Sequence, residues 1–153
     1  MEFFIQALED YRRYLPCPER PDDFDTFWQE SFALSGMRPL ELEKTPAPSP
    51  SPQVDTYHIA FKGCDGSRIT GILLTPIQSE GKFPVLCHYH GFGGNCGQFS
   101  DFVGWAELGY AVISIDIRGQ GGKSENKFQY SSGKNLIQYG ILDPHEYYLR
   151  WVA

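Results

Sequence analysis

Two short, nearly continuous apolar runs constrain the fold of this 153-residue chain more than any other feature. The first run spans residues 84–90 and the second spans 110–117. Runs of this length without polar alternation are typical of strands that are covered on both faces of a sheet. Between them, residues 99–108 carry a helical pattern that stops at Gly109, a residue suited to a helix C-terminus. Strand, helix and strand in this order predict a βαβ unit, whose two strands lie parallel in one sheet.

A β-hairpin is predicted immediately before this unit. Residues 57–61 alternate in the manner of a strand with two different faces, and residues 69–75 resume as a second strand that Pro76 ends. Between them, the pair Asp65-Gly66 is a strong signal for a tight turn. A hairpin that leads into a βαβ unit predicts a mixed sheet of the α/β class.

Residues 1–44 are predicted to form a helical segment. Two apolar stripes at helical spacing predict two helices, the first ended by Pro16 and Pro18 and the second capped by Asp22 or Asp23. We expect the aromatic side chains of the second stripe to be core anchors rather than ligand contacts. The stripes consist of Phe4, Leu8, Tyr11 and Leu15 in the first helix and of Phe24, Phe27, Trp28 and Phe32 in the second.

A proline-punctuated stretch, TPAPSPSP at residues 45–52, follows the helical segment. Prolines at this density exclude a helix, and we interpret the stretch as a tether. Residues 53–153 are then predicted to form the first half of an α/β domain. Near the end of the chain, residues 143–146 (Asp-Pro-His-Glu) have the pattern of a helix start.

A glycine-rich loop, HGFGGN at residues 90–95, follows the first predicted parallel strand. Open α/β sheets bind ligands at this edge, and glycines leave backbone N–H groups free to donate to a ligand. In acyl transfer, such groups stabilise the tetrahedral oxyanion. The pair His90-Gly91 matches the oxyanion-loop motif of lipases and esterases. A flexible strand-to-helix turn is the alternative that this loop by itself leaves open.

A second loop, RGQGGKS at residues 118–124, follows the other parallel strand. It suggests a phosphate cradle, but it lacks the GxxxxGK[ST] register and no helical pattern follows, which disfavours nucleotide binding. Asp116 stands in an otherwise apolar strand. We expect it to pair with a basic group such as Arg118 rather than to act as an acid or base.

Together, the two loops give the chain a specific resemblance. It is similar to the acetyl xylan esterase and cephalosporin C deacetylase family, carbohydrate esterase family seven. The run RGQGG at 118–122 reproduces the family signature, and His90-Gly91-Phe92 matches its H-G-aromatic oxyanion loop, where the family commonly has tyrosine in place of Phe92. The resemblance covers nearly the whole chain in order.

This resemblance implies the N-terminal portion of an α/β-hydrolase fold and a serine acyl-enzyme mechanism without a metal or another cofactor. The implied substrates are acetyl esters of xylo-oligosaccharides and cephalosporin-like compounds, and a homo-oligomer is implied. The backbone N–H of Phe92 is assigned to the oxyanion hole, in a loop shaped by His90 and Gly91. Structural support of the site is assigned to Arg118, Gly119 and Gln120.

The nucleophile, the base and the acid of such an enzyme are not recognisable in this sequence. The family nucleophile lies in a G-x-S-Q-G-G elbow, and no G-x-S-x-G occurs among the 153 residues. The histidines are expected to be poor bases, so we predict that the chain alone is inactive. Two alternatives stay open: a shortened, inactive paralogue that acts as a binding or interaction module, and a truncated gene product.

Composition and charge exclude several other classes of function. The net charge of −6 and the pI near 5.1 disfavour nucleic acid and anionic membranes as partners. The four cysteines lack the spacing of a zinc site or a disulfide framework. No signal peptide and no apolar run of about 20 residues is recognisable, which predicts a soluble, cytoplasmic protein.

Overall fold

The computed structural model describes residues 2–15, 19–36, 39–77 and 81–127. Its three helices are α1 (Glu2–Arg13), α2 (Phe24–Ser35) and α3 (Phe99–Glu107). Its five strands are β1 (Glu43–Ala47), β2 (Val54–Lys62), β3 (Arg68–Pro76), β4 (Val85–Tyr89) and β5 (Ala111–Ile115).

The five strands form one mixed sheet in the order β1-β2-β3-β5-β4. Three neighbouring pairs, β1–β2, β2–β3 and β3–β5, are antiparallel. The pair β4–β5 is parallel, with Val85 opposite Ala111 and Tyr89 opposite Ile115. The predicted α/β class and the mixed sheet are therefore confirmed.

The predicted hairpin is formed by β2 and β3, which pair from Val54 opposite Pro76 to Lys62 opposite Arg68. The carboxylate of Asp65 closes the turn, because it accepts hydrogen bonds from the backbone N–H of Ser67 at 2.9 Å and from its hydroxyl at 2.8 Å. An aspartate that binds the backbone two residues later is a common turn device. The turn is thereby held by side-chain contacts as well as by the ladder.

The predicted βαβ unit is formed by β4, α3 and β5. The carboxylate of Asp101 accepts the N–H of Gln98 at 2.8 Å and caps the start of α3, while Gly109 ends it with a φ of 95°. On its buried side, α3 packs against the centre of the sheet. This core contains Phe102 and Ala106 of α3 with Val54, Ile72, Leu74 and Val112 of the strands.

The first three residues of the predicted tether lie in strand β1 instead. Pro46 stands opposite Tyr57 of β2, and Ala47 accepts a hydrogen bond from the hydroxyl of Thr56 at 2.9 Å. Proline lacks the N–H that a central strand needs, but an edge strand tolerates it because one side of its backbone is unpaired. The prolines thus exclude a helix without excluding a strand at the edge of the sheet.

Both helices of the N-terminal segment form, but the expected core role is wrong for Phe24 and Phe32, whereas Phe27 and Trp28 are half-buried. Phe24 and Phe32 are exposed, and in the ranges given above neither α1 nor α2 packs against the sheet. The stripe packs on itself, with ring centroids of Phe24 and Trp28 6.4 Å apart and those of Trp28 and Phe32 5.8 Å apart. Residues four apart are neighbours on a helix, so these rings meet on one face of α2.

Strand β4 forms one edge of the sheet within the described part of the chain. Val85, Cys87 and Tyr89 are exposed on it, so the expectation that this strand is covered on both faces is wrong for β4 in the described residues. None of its five residues carries a fixed charge. The helix start predicted at 143–146 lies outside the described residues. The boundaries proposed for the helical segment, the tether and the α/β domain stay predictions.

Candidate active-site loops

Two loops meet at the carboxyl ends of the parallel strands. We call residues 90–95, after β4, the oxyanion loop, and residues 118–124, after β5, the signature loop. The side-chain oxygen of Gln120 accepts the N–H of Gly93 at 2.7 Å, and Gly94 accepts the N–H of Gly121 at 3.0 Å. A Cβ atom on Gly121 would lie 2.5 Å from the carbonyl oxygen of Gly93, so this approach requires glycine. The two loops therefore form one unit.

His90 uses both of its ring nitrogens inside this unit. Its Nδ1 lies 2.8 Å from the carbonyl oxygen of Gly91, and its Nε2 accepts the N–H of Ile117 at 3.0 Å. A carbonyl only accepts and an amide N–H only donates, so the proton of the imidazole resides on Nδ1. With both nitrogens engaged, His90 shapes the loop, and in this arrangement it has no nitrogen available as a general base.

Phe92 lies at the open side of the oxyanion loop, with 75% of its surface exposed. Among the described residues, no group accepts a hydrogen bond from its backbone N–H. A Cβ atom on the neighbouring Gly91 or Gly93 would meet no atom within 4 Å, so the space around this peptide is open. Within the described residues, the residue predicted as the oxyanion donor thus has an N–H without an acceptor at an exposed position.

Asp116 ties both loops to the sheet. Its carboxylate, 3% exposed, accepts the N–H of Cys96 at 2.7 Å, the N–H of Lys123 at 2.9 Å and the hydroxyl of Thr70 at 2.8 Å. Burial by itself would raise the pKa of Asp116, but these hydrogen bonds outweigh it and hold the pKa below its usual value. The sequence expectation that Asp116 pairs with Arg118 is wrong, because neutral donors already surround this carboxylate.

Arg118 pairs with the turn of the β2–β3 hairpin instead. Its Nη1 lies 2.8 Å from Oδ2 of Asp65, and the arginine side chain is only 3% exposed. Burial acts to raise the pKa of Asp65, but the hydrogen bonds from Ser67 and the charge of Arg118 lower it overall. This buried ion pair joins the signature loop to the hairpin, as a structural role of Arg118 requires. No local sequence signal predicts the contact of Asp65 with Arg118 or that of Thr70 with Asp116, because the partners lie more than 40 residues apart.

A serine and a histidine also meet beneath the oxyanion loop, in an arrangement that excludes catalysis. Nδ1 of His88 lies 2.8 Å from Oγ of Ser114, and this hydroxyl donates to the carbonyl oxygen of Cys96 at 2.8 Å. Ser114 is 0% exposed, so no substrate reaches it. These contacts hold the loop after β4 against β5.

The thiol of Cys96 is no better as a nucleophile. Burial, together with a hydrogen bond to Asp116 and the charge of that carboxylate, raises its pKa to about 12. The reactive form of a cysteine is the thiolate, so Cys96 is unreactive at neutral pH.

Within residues 2–15, 19–36, 39–77 and 81–127, no group of three His, Cys, Asp or Glu side chains gathers at a metal-binding distance. None of the helices in these ranges is long and apolar enough to cross a bilayer.

A mixed sheet with a hairpin, a βαβ unit and a glycine-rich loop after the first parallel strand defines the N-terminal portion of an α/β-hydrolase. The family model described as "Acetyl xylan esterase (AXE1)" matches residues 1–153, and the chain belongs to this family.

Two solved structures resemble the chain closely. An acetyl xylan esterase from Paenibacillus sp. R4 is 35% identical with a TM-score of 0.85, and the match covers 95% of this chain and 48% of that one. Acetyl xylan esterase 1 from Thermoanaerobacterium sp. JW/SL YS485 is 26% identical with a TM-score of 0.81, over 95% of this chain and 46% of that one. The chain thus spans about half the length of these solved relatives.

Proposed function

We propose that this chain provides the front half of a carbohydrate esterase. The enzyme would remove acetyl groups from xylo-oligosaccharides and from cephalosporin-like esters through a serine acyl-enzyme. Family membership and two solved relatives named as acetyl xylan esterases support this proposal. The structural observation that carries it is the free N–H of Phe92 at the carboxyl end of β4.

The free N–H has a defined task in ester hydrolysis. When a nucleophile attacks the acetyl carbonyl, the oxygen gains negative charge, and a pre-oriented donor stabilises this charge in the transition state. Loss of one such donor typically costs about 3–4 kcal/mol, or roughly 10²–10³ in rate. Because the donor is a backbone group, phenylalanine serves at position 92 as well as tyrosine.

We infer that the nucleophile, the base and the acid are supplied by sequence outside these 153 residues. The sequence contains no G-x-S-x-G, Ser114 is buried, and His90 has both nitrogens engaged. The acyl-enzyme route uses a serine, a histidine and a carboxylate and needs neither a metal ion nor an organic cofactor.

The test compares the 153-residue chain with an extended enzyme, in which the matched half of the Paenibacillus relative is replaced by this chain. With p-nitrophenyl acetate, we expect no turnover from the chain alone and acetyl-ester hydrolysis from the extended enzyme. In the extended enzyme, Phe92→Tyr should retain the rate, while Phe92→Pro, which removes the N–H, should lower kcat by roughly 10²–10³. A folded Phe92→Pro enzyme with the parental rate would refute the oxyanion assignment.

We also propose that the chain self-associates through the exposed edge of β4. An unpaired strand presents a row of N–H and C=O groups to any other strand. The opposite edge, β1, contains Pro46 and three charged or polar residues, which disfavour pairing. Within the described residues, the β4 edge has neither a proline nor a residue with a fixed charge, so a second copy is expected to pair there.

A further inference from the structure

The oxyanion donor and its neighbouring carbonyl belong to one rigid unit. The N–H of Phe92 and the C=O of Gly91 are the two ends of the same peptide group, and the structure contains no cis peptide bond in its described residues. In a planar trans peptide, the N–H and the C=O point in opposite directions. Any group that holds the carbonyl of Gly91 therefore sets the direction of the Phe92 N–H.

Two donors hold this carbonyl on its inner side. His90 donates from Nδ1 at 2.8 Å and the backbone N–H of Gly94 donates at 3.0 Å. They fix the carbonyl towards the loop interior, and the N–H of Phe92 consequently points out of the loop. Hydrogen bonds along a chain polarise one another, so donation to the carbonyl also makes the N–H at the other end a stronger donor.

The imidazole is itself held by the backbone that follows β5. Ile117 is the second residue after β5, and its N–H donates to Nε2 of His90 at 3.0 Å. Since this backbone group can only donate, it excludes a proton on Nε2 and leaves the proton on Nδ1, where it faces Gly91. The backbone after β5 thus selects the tautomer that the oxyanion loop needs.

We propose that His90 is a positioning residue for the oxyanion donor. A relay of hydrogen bonds runs from the N–H of Ile117 through the neutral imidazole to the Gly91–Phe92 peptide, and from there to the substrate oxygen. His90 aims and strengthens the donor without touching the substrate and without moving a proton. The last step of this relay rests on the proposed esterase function, whereas the steps within the protein do not.

Three substitutions separate this role from simple loop support. His90→Asn keeps an N–H donor near the position of Nδ1, His90→Gln keeps an acceptor near the position of Nε2, and His90→Phe keeps only the ring volume. The relay predicts that the amide proton signal of Phe92 keeps its position in His90→Asn. In His90→Gln and His90→Phe the same signal should move upfield, because its carbonyl loses the side-chain donor.

The experiment is NMR spectroscopy of the ¹⁵N-labelled 153-residue chain, and its first measurement needs no variant. Long-range ¹H–¹⁵N spectra should show His90 as the Nδ1–H tautomer at neutral pH; the Nε2–H tautomer or a mixture would overturn the proposal. An unchanged Phe92 amide signal in His90→Phe would overturn it as well. Failure of the esterase proposal would look different, since the extended enzyme would be inactive while the tautomer and the amide shifts stayed as expected.

Discussion

Replacing Asp116 by asparagine tests the idea that one buried carboxylate holds both loops on the sheet. The substitution keeps the size of the side chain but turns one acceptor oxygen into an NH₂ group. Oδ1 accepts the N–H of Cys96, and Oδ2 accepts the N–H of Lys123 together with the hydroxyl of Thr70. Whichever way the amide turns, it faces one backbone N–H with another donor.

The expected loss of stability follows from the hydrogen bonds that the amide cannot accept. A buried donor left without an acceptor costs about 1–3 kcal/mol, and hydrogen bonds to a charged group are roughly twice as strong as neutral ones. The hydroxyl of Thr70 has an alternative partner in Oγ of Ser124 at 3.4 Å, so it adds little. We therefore expect Asp116→Asn to lower the free energy of unfolding by about 2–4 kcal/mol, a large share of a typical 5–15 kcal/mol.

The pH dependence of this loss has a definite sign. The folded protein lowers the pKa of Asp116, so the carboxylate contributes stability that is fully present above the ordinary pKa of an aspartate. That contribution disappears as the pH falls through the lowered, folded-state value. The stability difference between the wild type and Asp116→Asn should therefore stay constant above about pH 5 and shrink below about pH 4.

Urea denaturation at several pH values, followed by circular dichroism, measures both effects. Thr70→Val is the matched control, since it removes a neutral donor to the same carboxylate and should cost only about 0.5–1.5 kcal/mol. A loss below 0.5 kcal/mol for Asp116→Asn at pH 7, or a loss that persists undiminished at pH 3, would refute the reasoning.

Two further predictions concern the hairpin and the sheet edge. Asp65→Asn removes the charge opposite the buried Arg118 and should lower the free energy of unfolding by about 3–5 kcal/mol in urea denaturation. As a control, Glu43→Gln removes the exposed ion pair between Arg68 and Glu43 and should cost at most about 1 kcal/mol. Val85→Lys places a charge on the β4 edge and should shift the chain towards monomer in light scattering; an unchanged mass distribution would place self-association elsewhere.

The sequence by itself determined the class of the fold and the location of the candidate site. Alternation at 57–61, the Asp65-Gly66 turn and the two apolar runs are local patterns, and each predicted a strand or a turn that the structure contains. The oxyanion loop and the signature loop were predictable for the same reason, because their glycines and their places after strands are local features. The contact between these two loops also follows from the topology, since the carboxyl ends of neighbouring parallel strands lie at the same edge of the sheet.

Only the tertiary structure decided which charged group meets which partner. Asp116 and Arg118 are only two positions apart in the sequence. This closeness does not show whether their side chains meet, because the chain leaves the strand between them and enters a loop. Arg118 instead meets Asp65, and Asp116 meets Thr70, because β3 runs antiparallel beside β5 and brings the hairpin turn to the carboxyl end of β5. Sequence distance carries no information about such pairs.

The same limit applies to the aromatic stripe of α2 and to the prolines of β1. Helical spacing shows that Phe24, Trp28 and Phe32 share a face, but only packing shows whether that face has a partner. Pro46 excludes a helix locally, whereas its place in a strand depends on β1 standing at the edge of the sheet. Local patterns determine conformation; burial and partners depend on where the chain brings distant segments together.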